Sequence, residues 1–323
     1  MPNVSRILLF CVALCLWPAI SGAQQLSASP TNMLLAPRPP LRSPGLVKAW
    51  ATELRRAWLA SGNPAPDRTA APVIVSGKIL AASVNVAMAP GQPSISVKYD
   101  APAGAGAIIA TFCTSATATQ CIQLGGFPFG NPKSGSITIE NFDGVDSHLN
   151  LYSAPGVWTL TDLEIVDEAG VSTDYNTAAQ IKALIPKPTF TVVNSGAPDT
   201  VPPAVSAGKI LTPVATDIEE QGYFAAQLTV SDNLSGAYYV FMYLDPPDGT
   251  DNVPVIVTGN DGAAPVKSGG FSFSGLFAAD VPATETWTIS GYTICDLANN
   301  CATDTNSSDI LALFGTTTFK VKP

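Results

Sequence analysis

Trp158-Thr159-Leu160-Thr161-Asp162-Leu163-Glu164-Ile165-Val166-Asp167 is written a second time, 129 positions later, as Trp287-Thr288-Ile289-Ser290-Gly291-Tyr292-Thr293-Ile294-Cys295-Asp296. The correspondence continues: Ala169, Ile181, Ala183, Leu184, Thr189, Phe190 and Val192 reappear at the same offset as Ala298, Ile310, Ala312, Leu313, Thr318, Phe319 and Val321. A constant offset held over about 35 residues marks the duplication of a folded unit. The shared residues are of core and turn type, so the repeat defines an architecture before it defines a task.

The apolar pattern within the stretch carries a further detail. Trp158 and Leu160 share one parity, and Leu163 and Ile165 share the other. Strict alternation along a strand cannot bury all four on one face, which predicts a bulge or bend near Thr161-Asp162. The second copy repeats the slip with Trp287, Ile289, Tyr292 and Ile294.

Upstream of each copy, Ser76-Gly77-Lys78-Ile79-Leu80 is echoed by Ala207-Gly208-Lys209-Ile210-Leu211 at an offset of 131. Short apolar runs read as strands: Val73–Val75, Ile95–Tyr99, Ile108–Phe112 and Ile137–Ile139 in the first copy. Tyr238–Leu244, Val255–Val257 and Phe271–Phe273 play this part in the second. Leu228-Thr229-Val230-Ser231-Asp232 aligns with Ser96 to Asp100. With 28 Pro and 26 Gly between such runs, strands and turns are expected throughout both copies rather than helices. The fold class is all-β: two tandem immunoglobulin-like β-sandwich domains, residues 71–195 and 204–323, joined by a Pro-rich linker at 196–203. Trp158, Trp287, Phe190 and Phe319 are the expected structural core.

The motifs of the second copy carry a resemblance. Asp232-Asn233-Leu234-Ser235-Gly236, then Trp287-Thr288-Ile289, then Asp296-Leu297-Ala298-Asn299-Asn300, resemble the immunoglobulin-like repeats of bacterial secreted and cell-surface proteins. Asp199-Thr200-Val201-Pro202-Pro203 resembles their opening. Asp167-Glu168-Ala169-Gly170 keeps the turn in the first copy but lacks the following Asn. The resemblance implies a spacer, adhesion or binding module without catalysis of its own, and fold analogy assigns no specific task.

Residues 1–23 read as a signal peptide: Arg6 in the n-region, an apolar run over Ile7–Ile20, and Ser21-Gly22-Ala23 for cleavage. The apolar run is too short to span a bilayer comfortably, and no later stretch could cross one. Residues 24–70 hold a Pro-rich lead and an amphipathic helix at about 44–61. In that helix Leu46, Trp50, Leu54 and Trp58 form a stripe, with Lys48, Arg55 and Arg56 off it. The stripe either packs on a domain or docks on a membrane or partner. Export to the cell surface, the periplasm or the medium permits disulfides. Cys113 with Cys121, and Cys295 with Cys301, are each spaced to close a short hairpin.

Loss of Arg6 with the leader takes the formal charge from -9 to -10, and only 13% of residues are charged. An acidic, sparsely charged chain excludes nucleic acid as a partner, because phosphate binding needs clustered Lys and Arg. A protein or surface glycan is the expected partner. The chain has one histidine, His148, and no Gly-x-Ser-x-Gly elbow, so no catalytic residues are assigned. No cofactor is expected. Calcium is the alternative, with Asp245, Asp248 and Asp251 offering three carboxylates in one loop and Asp100, Asp167, Asp232 and Asp296 available at the domain ends. Three functions follow in order: a secreted, non-catalytic binding or adhesion module, a structural accessory of an exported assembly docked through the N-terminal helix, and a hydrolase on a β-sandwich.

Overall fold

The computed structural model describes residues 71–323 apart from 115–119, 129, 131, 141–147, 217–220, 248–263, 279–280 and 282. The expected leader, Pro-rich lead and Trp50/Trp58 helix therefore lie outside the described residues, as do Asp248, Asp251 and the Val255–Val257 run.

The duplicated sequence produces duplicated strands. In the first unit β1 (Val73–Ile79), β3 (Ile95–Asp100) and β6 (Ser134–Ile139) form one antiparallel sheet. Facing it is a sheet of order β2 (Ser83–Asn85), β9 (Thr189–Val193), β7 (Gly156–Asp167), β4 (Ala105–Cys113), β5 (Cys121–Gly126), with β8 (Ser172–Tyr175) also paired to β7. In the second unit β10 (Ala204–Ile210), β12 (Gln221–Ser231) and β14 (Ser268–Ala278) repeat the first sheet. The order β11 (Val214–Thr216), β17 (Thr318–Lys322), β15 (Glu285–Asp296), β13 (Ala237–Asp245) repeats the second, with β16 (Cys301–Asp304) on β15. In both units the chain leaves the first sheet after its opening strand and pairs parallel with its own last strand, β2 with β9 and β11 with β17.

Each unit has its own core. Ile95, Val97 and Ile139 from one sheet meet Ile108, Phe112, Leu163 and Trp158 from the other. Phe224, Leu228 and Phe271 likewise meet Val240, Ile289, Ile294 and Trp287. The tryptophans occupy equivalent places. Trp158 is the cross-strand partner of Phe190 and Trp287 of Phe319, with ring centroids 6.3 and 6.4 Å apart. All four residues are buried.

The expected bulge is present in both copies. Thr111 pairs with Asp162 and Phe112 with Leu160, so Thr161 is the extra residue; Tyr243 pairs with Gly291 and Leu244 with Ile289, so Ser290 is its counterpart. The bulge returns Trp158, Leu160, Leu163 and Ile165 to one core despite their mixed parity.

Two sequence expectations need correction. Each unit contains a short helix, α1 (Ala178–Leu184) and α2 (Ser307–Phe314), where only strands and turns were expected. Thr177 caps α1 reciprocally with Gln180, Asn306 caps α2 through Ser308, and Gly315 closes α2 in the left-handed region. The helices account for the repeated Gly-Lys-Ile: a Cβ on Gly77 would lie 3.0 Å from Ile185, and one on Gly208 would lie 2.6 Å from Phe314. Residues 129 apart at the helix ends thus cover glycines 131 apart on the opening strands.

The second correction concerns register. Val73 pairs with Asp100, whereas Ala204 pairs with Ser231. Ser231, not Asp232, therefore takes the place of Asp100, and Asp232 belongs to a turn one residue longer. The burial pattern agrees, with Ile95, Val97 and Tyr99 matched by Ala226, Leu228 and Val230 in the core.

Both cysteine pairs are disulfides, Cys113–Cys121 across β4 and β5 and Cys295–Cys301 across β15 and β16, with Cα atoms 4.2 and 4.1 Å apart. Each joins neighbouring strands of one sheet. Among the described residues no helix is long and apolar enough to cross a membrane.

Trp158→Ala and Trp287→Ala should each cost about 3–5 kcal/mol, the range for truncating a buried aromatic. Denaturant unfolding followed by tryptophan emission measures this; a change below about 1 kcal/mol would remove these residues from the core.

Candidate cation site at the junction

The linker does not hang free. Asn194 Nδ2 donates to the carbonyls of Leu151 (3.0 Å) and Ser153 (2.7 Å) of the first unit, and Asp199 N donates to Tyr152 O at 2.8 Å. Asp199 is fully buried. Its carboxylate turns to the second unit, where Oδ2 accepts from Ser235 N at 2.7 Å; Oδ1 accepts from Val201 N at 3.1 Å. Its carbonyl accepts from Asn300 Nδ2 at 3.0 Å and from Gln120 Nε2.

Two turns of the second unit deliver carboxylates to the same place. In the β12–β13 turn, Asp232 Oδ1 accepts from Leu234 N (3.0 Å) and Gly236 N (2.6 Å). Gly236 has φ 87°, and a Cβ there would lie 2.8 Å from Pro265, so the turn requires glycine. In the β15–β16 turn, Asp296 Oδ1 accepts from Asn300 N (2.8 Å) and Oδ2 from Asn300 Nδ2 (2.7 Å). Asn299 sits at φ 64° where the first copy has Gly170 at 72°; Asn is among the few side chains that tolerate this region.

Asp199, Asp232 and Asp296 each offer an oxygen within 4.8 Å of the others. Burial pushes the Asp296 carboxyl up to about 7, and repulsion from Asp199 and Asp232 adds to this against the Asn300 hydrogen bonds. Among the residues that build the site, two buried oxygens lack a hydrogen-bond partner: Oδ2 of Asp232, a member of the cluster, and Oγ of Ser235, whose backbone N meets Asp199. A hard divalent cation wants oxygen ligands of this kind. The three carboxylates fit such an ion, because it would neutralise the cluster and use the Asp232 oxygen that the protein leaves unsatisfied.

The candidates read from the sequence divide accordingly. Asp232 and Asp296 enter the cluster. Asp100 is exposed on β3, and Asp167 is buried with Oδ1 accepting from Ala169 N and Val171 N; neither joins a comparable group among the described residues. Asp245 accepts from Ser290 Oγ at 2.9 Å and is likewise outside the cluster; Asp248 and Asp251 lie outside the described residues. His148 is half-buried beside Leu149, which bridges to Gly91. Asp199, Ser235, Asn300 and Gln120 were not singled out as site residues. The signal for Asn300 was the motif difference between copies, since Val171 stands at its place in the first.

A second acidic group lies on the β7–β8 hairpin. Asp174 pairs with Glu164 in register, and Asp162 lies two residues away on the same face. Burial pushes the Asp162 carboxyl up to about 9, helped by a hydrogen bond and repulsion from Asp174 and by repulsion from Glu164.

No protein-family model matches the chain, and no curated protein matches it. Among solved structures, the crystal structure of CBD12 from CALX1.2 aligns over 77% of this chain and 100% of its own, at 12% identity and a TM-score of 0.19. The fold assignment rests on the strand pairing described above.

Asp162 remains protonated in the folded chain to about pH 9 and ionises near 3.8 when unfolded. The folded state thus holds the extra proton between these values, and stability falls as pH rises through that window. Melting temperature in chelator should decline from pH 4 toward pH 9, and Asp162→Asn should flatten the decline. An unchanged slope in that variant would refute the assignment.

Proposed function

We propose that this chain is a secreted, non-catalytic tandem immunoglobulin-like protein that acts as a binding or adhesion module at the cell surface or in the periplasm, with a calcium ion fixing its two sandwiches end to end. The observation that carries this reading is the junction, where Asp199, Asp232 and Asp296 converge and a buried oxygen of Asp232 has no hydrogen-bond partner. A presented binder gains from a preset angle between its domains, because ordering a loose linker on contact costs affinity. Loop ends and strand edges remain as contact surfaces for a protein or a glycan. The two repeated tryptophans are spent on the cores and offer no stacking platform.

Calcium suits the site better than magnesium. It accepts irregular sets of six to eight oxygens, whereas magnesium demands a near-octahedral shell and keeps its water. Copy-specific residues support the assignment to this one position, since Ser231 and Val171 mark where the two copies diverge around it.

The test is a thermal melt of the full chain in calcium, magnesium and chelator. At free calcium about a hundredfold above Kd, stability should rise by about 2.7 kcal/mol. Asp232→Asn, which leaves the turn-forming oxygen in place, should abolish the rise. Equal melting temperatures in calcium and chelator would sink the cation, and turnover in a broad hydrolase screen would sink the non-catalytic reading.

A further inference from the structure

The sandwich blueprint was copied but its disulfides were not. In the second unit the position of Cys113 is held by Asp245, as the register of Phe112 with Leu160 and of Leu244 with Ile289 requires. In the first unit the positions of Cys295 and Cys301 are held by Val166 and Ser172. A crosslink that served the interior of the sandwich would recur at one place in both copies. These do not: neither disulfide enters the tryptophan-centred cores, and Cys295 and Cys301 pack instead with Tyr239 and Phe241 in a separate small cluster.

What the two disulfides share is their place relative to the junction. The residue before Cys121 is Gln120, and the residue before Cys301 is Asn300. Gln120 and Asn300 bridge to each other across the two units, and both donate their side-chain amides to the carbonyl of Asp199. Gln120 Oε1 accepts from Ala154 N at 2.7 Å, and both residues are buried. The second disulfide brackets the turn that holds Asp296, and Leu297 O of the same turn accepts from Asn150 Nδ2 of the first unit at 2.7 Å. Each crosslink therefore closes a short loop, of sequence separation 8 or 6, whose last residue is the docking contact.

We infer that the two disulfides are staples of the domain junction: they hold Gln120 and Asn300 ready to dock, and opening them uncouples the two sandwiches without unfolding either. Open loops would have to be ordered each time the units meet, and that entropy opposes docking. The chemistry is ordinary exchange with a dithiol. Each protein disulfide takes up two electrons and two protons to give two thiols, and the dithiol becomes its own disulfide. The inference stands on the interface alone and does not require the cation, so its test is run in chelator.

The experiment uses the full chain with Cys113→Ser/Cys121→Ser, with Cys295→Ser/Cys301→Ser, and with dithiothreitol on the parent. Endoproteinase Asp-N cleavage before the buried Asp199, followed by mass spectrometry, reports opening of the junction, and small-angle scattering reports the spread of inter-unit distances. Loss of either disulfide should speed that cleavage about tenfold or more, as expected when a local opening rather than global unfolding exposes the site. The scattering should broaden while the near-ultraviolet signal of the tryptophans is kept. Gln120→Ala/Asn300→Ala, with both disulfides intact, should reproduce the loosening. Unchanged protection at Asp199, failure of that last variant to loosen the junction, or loss of the tryptophan signal on removing a disulfide would each overturn the inference; the last would mean that the crosslinks hold the sandwiches themselves.

Discussion

One buried residue ties the molecule together. Asp199 gives its amide to the first unit through Tyr152, its carboxylate to the second through Ser235, and its carbonyl to a side-chain amide from each, Gln120 and Asn300. A buried carboxylate is tolerated only when its oxygens are engaged, and here the engagement is spread over both units. Separating the units would return several of these partners to water at once. The linker is therefore fastened to both units through one shared polar residue.

The duplication sharpens this point. Core residues hold their offset because a buried aromatic pair such as Trp158–Phe190 or Trp287–Phe319 leaves little room for change. The loop ends are free to diverge, and they diverge where the second unit meets the first. Ser231 replaces Asp100 and is followed by an added Asp232, and Asn300 replaces Val171. The same turn geometry is kept, with Gly170 and Asn299 both left-handed. One turn geometry thus carries different side chains in the two copies, and in the second its polar Asn300 meets the linker and the first unit.

The sequence disclosed much of the fold because packing leaves a periodic trace. The bulge at Thr161 and Ser290 was readable as a parity slip, since only an extra residue brings four mismatched positions to one core. The helices α1 and α2 were harder to see. Each spans under three turns, with Ile181 or Ile310 as its most buried contact, too short for a 3.6-residue rhythm to stand out. Their signal was the caps, Thr177 with Gln180 and Asn306 with Gly315. The site was harder still. Asp232 and Asp296 read as acidic residues at domain ends, yet their meeting with Asp199 depends on a one-residue insertion and on the path of the linker. Neither leaves a periodic pattern, and Asp245, which local spacing favoured, was drawn to Ser290 instead.

The cluster and the docking contact are physically one system. Asn300 Nδ2 donates to Asp296 Oδ2 and to the Asp199 carbonyl, so the same amide that steadies a candidate ligand also fastens the linker. Three neighbouring carboxylates repel one another, and burial removes the water that would screen them. Left to itself, such a group favours uptake of a proton, as the raised Asp296 carboxyl shows. A cation relieves that repulsion, and it bears on docking through Asp199, whose carboxylate belongs to the cluster while its backbone amide and carbonyl are held by Tyr152 and Gln120 of the first unit. Docking geometry and cation affinity must therefore change together, each strengthening the other by the same factor.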